Sequence, residues 1–235
     1  MEEKLKLLGI SGSPRRGNSL YLLKRALKAA EEDSGIDVET EAYSLVGKKF
    51  EPCKGCTKCQ LDCIYEDHFL ELREKWYGAD SIIYSIPIYH MGIPGQLKCF
   101  IDRLGNNLWA RTGGRPLKGM KTIGTIVQGA HISAGQEFCI SFLINHALVM
   151  GCLPVTGDTW EAYIGAGGWT LDSEDRDAIK REVEGRGFDA EVLISATEST
   201  AIRTVQIAYL LKQGALHSRE FMDKNPQFQL LLKRE

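Results

Sequence analysis

Between Leu5 and Val155 five short strand-like runs are separated by four stretches with helical spacing. Nothing else in the chain constrains its fold as strongly. Leu5 to Ile10 is such a run, and Leu20, Leu23, Leu27 and Ala30 behind it fall at three- and four-residue steps, the stripe of a helix with one buried face. Ser34-Gly35 ends that helix, and Val38 to Tyr43 alternates apolar and polar as a second strand. A helix around Phe69 to Tyr77 precedes Ser81 to Pro87, a near-continuous apolar run of the kind shown by a strand covered on both faces. Gly95 to Leu104 returns as a helix with Leu97, Phe100, Ile101 and Leu104 on one side, and Lys121 to Gln128 is a fourth strand. Ser133-Ala134-Gly135-Gln136 fits a capping box, with serine as cap of a helix through Phe138, Phe142, Leu143, His146 and Met150. Cys152 to Val155 is a fifth strand. Strands alternating with helices through five cycles predict a parallel sheet with right-handed crossovers.

After Gly157 the pattern loosens. Gly165 to Gly168 reads as a flexible loop, Ser173 to Glu184 as a helix broken by Gly185 and Gly187, and Asp189 to Gln213 as a long helix ending at Gly214. Phe221 and Phe228 to Leu232 put apolar residues on a helical remainder. With no internal repeat and no low-complexity linker, the expected organisation is one domain, residues 1–215, carrying a cysteine loop at 53–63 and followed by a helical extension at 216–235. A net charge of −2 gives no electrostatic reason to expect nucleic acid or an anionic membrane as partner. No run of 18 apolar residues occurs, and the N-terminus lacks a signal-peptide pattern, so the cytoplasm is the expected compartment.

The first turn, Gly9-Ile10-Ser11-Gly12-Ser13-Pro14-Arg15-Arg16-Gly17-Asn18-Ser19, is rich in glycine, hydroxyls and cation. A strand–loop–helix turn of this composition suits an anion: backbone N–H groups at a helix start point at it and the helix dipole favours negative charge. Ser11, Ser13, Asn18 and Ser19 can add neutral donors, and Arg15 or Arg16 a charge-assisted one. It is neither a Walker loop nor a G-x-G-x-x-G dinucleotide turn. The alternative is an ordinary strand-to-helix connection with a good cap.

Gly12 to Ser19 resembles the phosphate loop of the flavodoxin-like NAD(P)H-dependent FMN reductases. Pro87-Ile88-Tyr89, followed by Pro94-Gly95-Gln96-Leu97-Lys98-Cys99-Phe100-Ile101-Asp102-Arg103, is similar to the flavin-flanking loop and next helix of that family. Together with the cysteines at Cys53 to Cys63, the resemblance is closest to the iron–sulfur flavoproteins within the group, and it covers roughly residues 4–160. It implies a flavodoxin-like three-layer α/β sandwich with a five-stranded parallel sheet in the order 2-1-3-4-5, and a ligand crevice at the carboxyl ends of strands one and three. FMN would set its phosphate on the first loop and its ring against Pro87, Ile88 and Tyr89, with Gly129-Ala130-His131 closing the other side. His131 could donate to flavin or substrate, or be a polar loop residue. His90, Arg111 and Arg115 could meet nicotinamide phosphates, or be solvated surface.

Seven cysteines are an odd number, and four of them crowd into eleven residues as Cys53, Cys56, Cys59 and Cys63, spaced C-x2-C-x2-C-x3-C. In a reducing compartment that clustering favours a metal or redox role over disulfides. Thiolates at two-residue gaps can wrap a [4Fe-4S] cubane, and the spacing equals the bacterial ferredoxin run except that Ile64 stands where proline follows there. In two-cluster ferredoxins the fourth cysteine serves the other cluster, and the iron–sulfur flavoproteins have a longer final gap, which leaves Cys63 open as fourth ligand. Zinc and free or redox-paired thiols are the alternatives. Cys99 and Cys139 read as packing residues and Cys152 as the start of a strand. The cysteine loop follows strand two and is expected at the same sheet edge as the flavin. The implied activity is that of an FMN-dependent oxidoreductase coupling a [4Fe-4S] cluster to FMN. Its electrons would come from NAD(P)H or a carrier such as ferredoxin and pass to a small-molecule acceptor, with the flavin as reacting group and no protein acid or base required. A cluster-free NAD(P)H-dependent FMN or quinone reductase and a non-enzymatic electron carrier or redox sensor are the rival readings. The resemblance and the apolar tail imply a homodimer or homotetramer.

Overall fold

The computed structural model describes residues 4–59, 62–114, 120–225 and 228. Strands β1 (Leu5–Ser11), β2 (Val38–Ser44), β3 (Ser81–Pro87), β4 (Thr122–Gly129) and β5 (Leu153–Pro154) form a parallel sheet in the order β2-β1-β3-β4-β5, as expected. β3 and β4 are buried at every position, which is why their sequences run apolar without alternation. Successive side chains nonetheless serve opposite cores. Ile82, Tyr84 and Ile86 join one cluster with Phe69, Trp76, Leu97, Phe100 and Leu143, while Ile83 joins Leu23, Leu27, Ile194 and Val205 in the other. Helices α2 (Phe69–Gly78), α3 (Gly95–Arg111) and α4 (Gln136–Val149) supply the first layer. Helices α1 (Asn18–Glu32), α5 (Ala178–Glu184) and α6 (Phe188–His217) supply the second.

The long helix α6 packs close to the sheet through small residues: Ala196, Thr197, Thr200, Ala201, Thr204, Val205 and Ala208 are buried. Thr200 and Thr204 hide their hydroxyls by donating back to Ala196 O and Thr200 O, each at 2.7 Å, so a polar atom at the sheet surface stays satisfied.

Four expectations need correction. Gly165 to Gly168 is not a flexible loop. Ala166–Trp169 forms β6, which pairs parallel with the carboxyl half of β4 (Ile126 with Ala166 through Gly129 with Trp169), while β5 takes the amino half. The fifth sheet position is thus filled by two pieces of chain, with a short 3-10 turn at Trp160–Ala162 in the excursion between them. Ser133 does not cap α4. Gly135 is the cap, at φ 107°, where a Cβ would come within 3.2 Å of Met91 O, and the Gln136 amide donates to His131 O (2.8 Å) and Gly168 O (3.1 Å) instead of reaching back to a serine. Residues 173–177 precede α5 rather than begin it. α6 runs through Gly214 to His217 and is followed by α7 (Arg219–Lys224); most of the expected apolar stretch 228–232 lies outside the described residues.

Candidate cofactor site

At the carboxyl edge of the sheet, the loops that follow β1, β3 and β4 emerge side by side, where this strand order opens its ligand crevice. The first leaves β1. Ser11 is fully buried and its hydroxyl has no hydrogen-bond partner, a cost of about 1–3 kcal/mol unless a ligand answers it. Ser13 Oγ accepts from Arg15 N (3.2 Å) and donates to Arg15 O (2.7 Å), tightening the turn. Helix α1 opens at Gly17 without any side-chain cap, so its first N–H groups remain available to an anion. Arg15 and Arg16 are exposed and pair with no acid among the described residues. Asn18 is turned elsewhere, its amide donating to Asp175 O (3.1 Å) and its oxygen accepting from Ile179 N (3.1 Å). Ser19 is buried, its carbonyl accepting from Ser85 Oγ (2.8 Å) and its hydroxyl accepting from Gln128 Nε2 (3.3 Å). An orphaned hydroxyl, an uncapped helix start and two unpaired cations are what a phosphate needs.

The second loop leaves β3. Pro87 ends the strand, Ile88 N donates to Gln128 O (2.9 Å), and Tyr89 and Gly92 exchange backbone hydrogen bonds at 2.9 and 3.1 Å. The two residues of this hairpin tip, His90 and Met91, have φ of 48° and 63°, a conformation that side chains rarely accept and that concentrates at functional sites. Tyr89 is 40% exposed at its base. The third loop, after β4, begins at Gly129. Its His131 is exposed and holds the loop only through its carbonyl, which accepts from Ala134 N (3.2 Å) and Gln136 Nε2. The structure therefore brings Ser11, Ser13, Arg15, Ser19, Pro87, Ile88, Tyr89 and Gly129 to one edge. Arg111 is remote from it, its guanidinium over the Tyr77 ring (5.1 Å) at the opposite end of the sheet. Arg115 lies outside the described residues.

The cysteine loop departs from expectation in position. Its neck begins at the crevice edge, where Gln96 Nε2 donates to Leu45 O (3.1 Å) and to Lys48 O, but its thiols lie lower. Asn106 Nδ2 donates to Cys53 Sγ (3.4 Å) and Asn107 Nδ2 to Cys59 O (3.0 Å). Asn106 and Asn107 are about 16–18 Å down α3 from its start at 1.5 Å per residue. Cys53, Cys56, Cys59 and Cys63 line one cavity of about 20 Å³ with Tyr65, Phe69, Arg103 and Asn107, room for about one water. Burial pushes the Cys59 thiol up, the nearby Cys56, Cys63 and Cys53 add to it, and Arg103 opposes them. Among the described residues no group of three or more Cys, His, Asp or Glu is arranged to hold a single metal ion. Four cysteines on one short loop do match, in number and type, the donor set of an iron–sulfur cluster.

The neck itself rests on residues the sequence reading passed over. The Asp67 carboxylate, its side chain wholly buried, takes both guanidinium nitrogens of the buried Arg103 (2.6 and 3.0 Å) and the amides of Glu51 (2.8 Å) and Phe69 (3.1 Å). Arg103 also donates to Glu51 O (3.3 Å) and lies over the Phe69 ring at 4.2 Å. Lys49 N donates to His68 Nδ1 (2.9 Å), and His68 N to Lys49 O (3.1 Å). Asp67 two residues ahead of a helix start was the one readable signal.

The pattern of the NADPH-dependent FMN reductase family matches residues 5–162, and the chain belongs to that family. It is accordingly an FMN-dependent oxidoreductase with a flavodoxin-like fold. It is 33% identical over 181 residues to an iron-sulfur flavoprotein of Archaeoglobus fulgidus, covering 76% of this chain and 89% of that one. It is 34% identical over 172 residues to an iron-sulfur flavoprotein of Methanocaldococcus jannaschii, covering 70% and 82%. Its fold is similar to that of a solved structure described as a flavodoxin, WrbA-like protein from Agrobacterium tumefaciens, with a TM-score of 0.51 at 15% identity over 87% of this chain and 99% of the other. Among the described residues no helix is long and apolar enough to cross a membrane.

Proposed function

We propose that this chain is an oxidoreductase of the iron–sulfur flavoprotein type, binding FMN at the crevice and a [4Fe-4S] cluster at Cys53, Cys56, Cys59 and Cys63. The observation that carries the cluster is the gathering of four thiols around one cavity on a clamped loop, in a chain whose relatives are named for such a group. FMN, when bound, accepts two electrons or a hydride and can return them singly, and a cluster passes them singly. This chain's part is to hold and tune. Ser11, Ser13, Arg15 and Ser19, with the main-chain N–H groups at Asn18 and the start of α1, meet the phosphate. Pro87, Ile88 and Tyr89 on one side and Gly129 on the other bound the ring. No acid or base is required of the protein. NAD(P)H or a one-electron carrier such as ferredoxin is the donor, and a small molecule the acceptor. The exposed Trp109, Phe138 and Trp160 favour assembly as a homodimer or homotetramer, and four cysteines clustered within eleven residues favour the cytoplasm.

The water-sized cavity favours one rival, a cluster-free NAD(P)H-dependent FMN or quinone reductase, because the loop has to widen around inorganic sulfide and iron. An anaerobic visible spectrum with iron and acid-labile sulfide counted per FMN separates the two. Roughly four irons per FMN and a broad absorbance that bleaches on reduction are expected, with iron lost and FMN kept in Cys53→Ser. Flavin without iron after reconstitution would establish the cluster-free enzyme.

A further inference from the structure

Between β6 and α5 the chain runs from Thr170 to Asp177 as a strap beyond the region that matches the family. It is fastened at both ends to loops of the crevice. Thr170 N donates to Gly129 O (3.0 Å) and Asp172 N to Ala130 O (2.8 Å), so the strap continues the β4 pairing past the end of the sheet. Here Ser173 N donates to Thr170 O (3.0 Å) and Thr170 Oγ1 to Ser173 O (2.8 Å). The residues so enclosed, Leu171 and Asp172, have φ of 52° and 58°, strain that the fastenings must hold. At the other end Asn18 commits both its side-chain polar atoms to Asp175 O and Ile179 N. Between the two, Arg176 lies on the phosphate loop. A Cβ on Gly17 would come 2.8 Å from Arg176 O and 3.1 Å from its Cβ. Arg176 is exposed and has no ion-pair partner among the described residues, its neighbour Asp175 being paired with Arg181.

We propose that this strap is a clasp over the flavin phosphate, latched by Asn18, and that it delivers Arg176 as a further phosphate-binding residue. The inference rests on the reading that the first loop holds the FMN phosphate. A phosphate monoester carries close to two charges at neutral pH. A guanidinium meets it with a fork of donors, and Arg176 joins Arg15 in balancing that charge. Asn18 acts as a positioning residue, through the strap rather than on the phosphate.

The test is titration of the full chain, freed of flavin, with FMN and with riboflavin, which lacks only the phosphate. Wild type should prefer FMN. Arg176→Gln should lose about ten- to hundredfold in FMN affinity, the range for a charge-assisted hydrogen bond, with riboflavin unchanged, and Arg176→Lys should recover part of it. Asn18→Ala should release FMN faster and open residues 170–177 to protease. Arg176→Gln with the wild-type FMN-to-riboflavin ratio, or with both ligands weakened alike, overturns Arg176 as a phosphate ligand. Wild-type FMN release in Asn18→Ala overturns the latch. Wild type that binds riboflavin as tightly as FMN overturns the phosphate-loop reading beneath both.

Discussion

Replacing Asp67 with asparagine tests whether the cysteine loop is clamped by charge. The Asp67 carboxylate and Arg103 guanidinium sit at 0% and 2% side-chain exposure with contacts of 2.6 and 3.0 Å. In Asp67→Asn the guanidinium is left buried without a counter-ion, and breaking such a pair from one side costs about 3–5 kcal/mol. For a chain of this size, about 2–4 °C of melting temperature accompanies each kcal/mol, so the midpoint should fall by about 6–20 °C. Burial alone would raise the Asp67 pKa, but the hydrogen bonds from Arg103 and from the Glu51 and Phe69 amides outweigh it and hold the carboxyl below its usual range. A carboxylate depressed in the fold contributes fully above its unfolded pKa, about 3.9, and the contribution is lost as pH falls through the folded value. The gap between wild type and variant should therefore be constant at neutral pH and close in strong acid. Urea unfolding across pH reads both effects. A variant within about 0.5 kcal/mol of wild type at pH 7, the range of ordinary surface changes, would refute the clamp. So would Arg103→Met/Asp67→Asn proving no more stable than Asp67→Asn alone, since removing both charges should relieve the unpaired one.

Further outcomes follow from the buried network of Trp76, Tyr84 and His146, where Tyr84 OH accepts from Trp76 Nε1 at 3.0 Å and meets His146 Nε2 at 3.2 Å. Tyr84→Phe strands both nitrogens and should destabilise by about 1–3 kcal/mol in chemical denaturation. Burial pushes His146 down to about 4. The unfolded chain takes up the proton first, so stability should decline as pH falls from about 6.5 toward 4, by about 3 kcal/mol in full. His146→Gln should flatten that decline in a pH series of melting curves; an unchanged slope would assign it to other groups. Gly17→Ala drives a methyl against Arg176 O at a φ of 158°, so FMN retained per chain, read from visible absorbance, should drop while the far-UV spectrum stays native.

The alternation was readable because β1, β3 and β4 are covered on both faces, and burial on both sides leaves an apolar run that no loop shares. β6 was not readable. Ala166-Gly167-Gly168-Trp169 has none of the branched residues that mark a strand, and its extended form is imposed by the edge of β4 left open once β5 stops at Pro154. The start of α4 misled for a different reason: Ser133 and Gln136 have capping-box spacing, yet the glutamine is drawn to a carbonyl two residues before Ser133 and to another on β6. At the site, glycine, serine and arginine announced an anion loop by composition. The strap left no local mark, because what fixes it is a pair of hydrogen bonds from Asn18 to residues 157 and 161 positions away. Arg103 was hidden in plain helical spacing, where an arginine among Phe100, Ile101 and Leu104 reads as surface until its partner across the neck is known.

The neck has one more consequence. Lys49 with His68, and Glu51 with Asp67, bring the chain back almost to where it left, so the described residues between form an appendix on a closed ring of hydrogen bonds, leaning on α3 through Asn106 and Asn107. Its contents can lengthen, shorten or change chemistry without shifting the strand before it or the helix after it, because lengthening a loop whose ends are already fixed adds little entropy. The cysteine segment is thus an interchangeable cartridge on a constant flavin chassis.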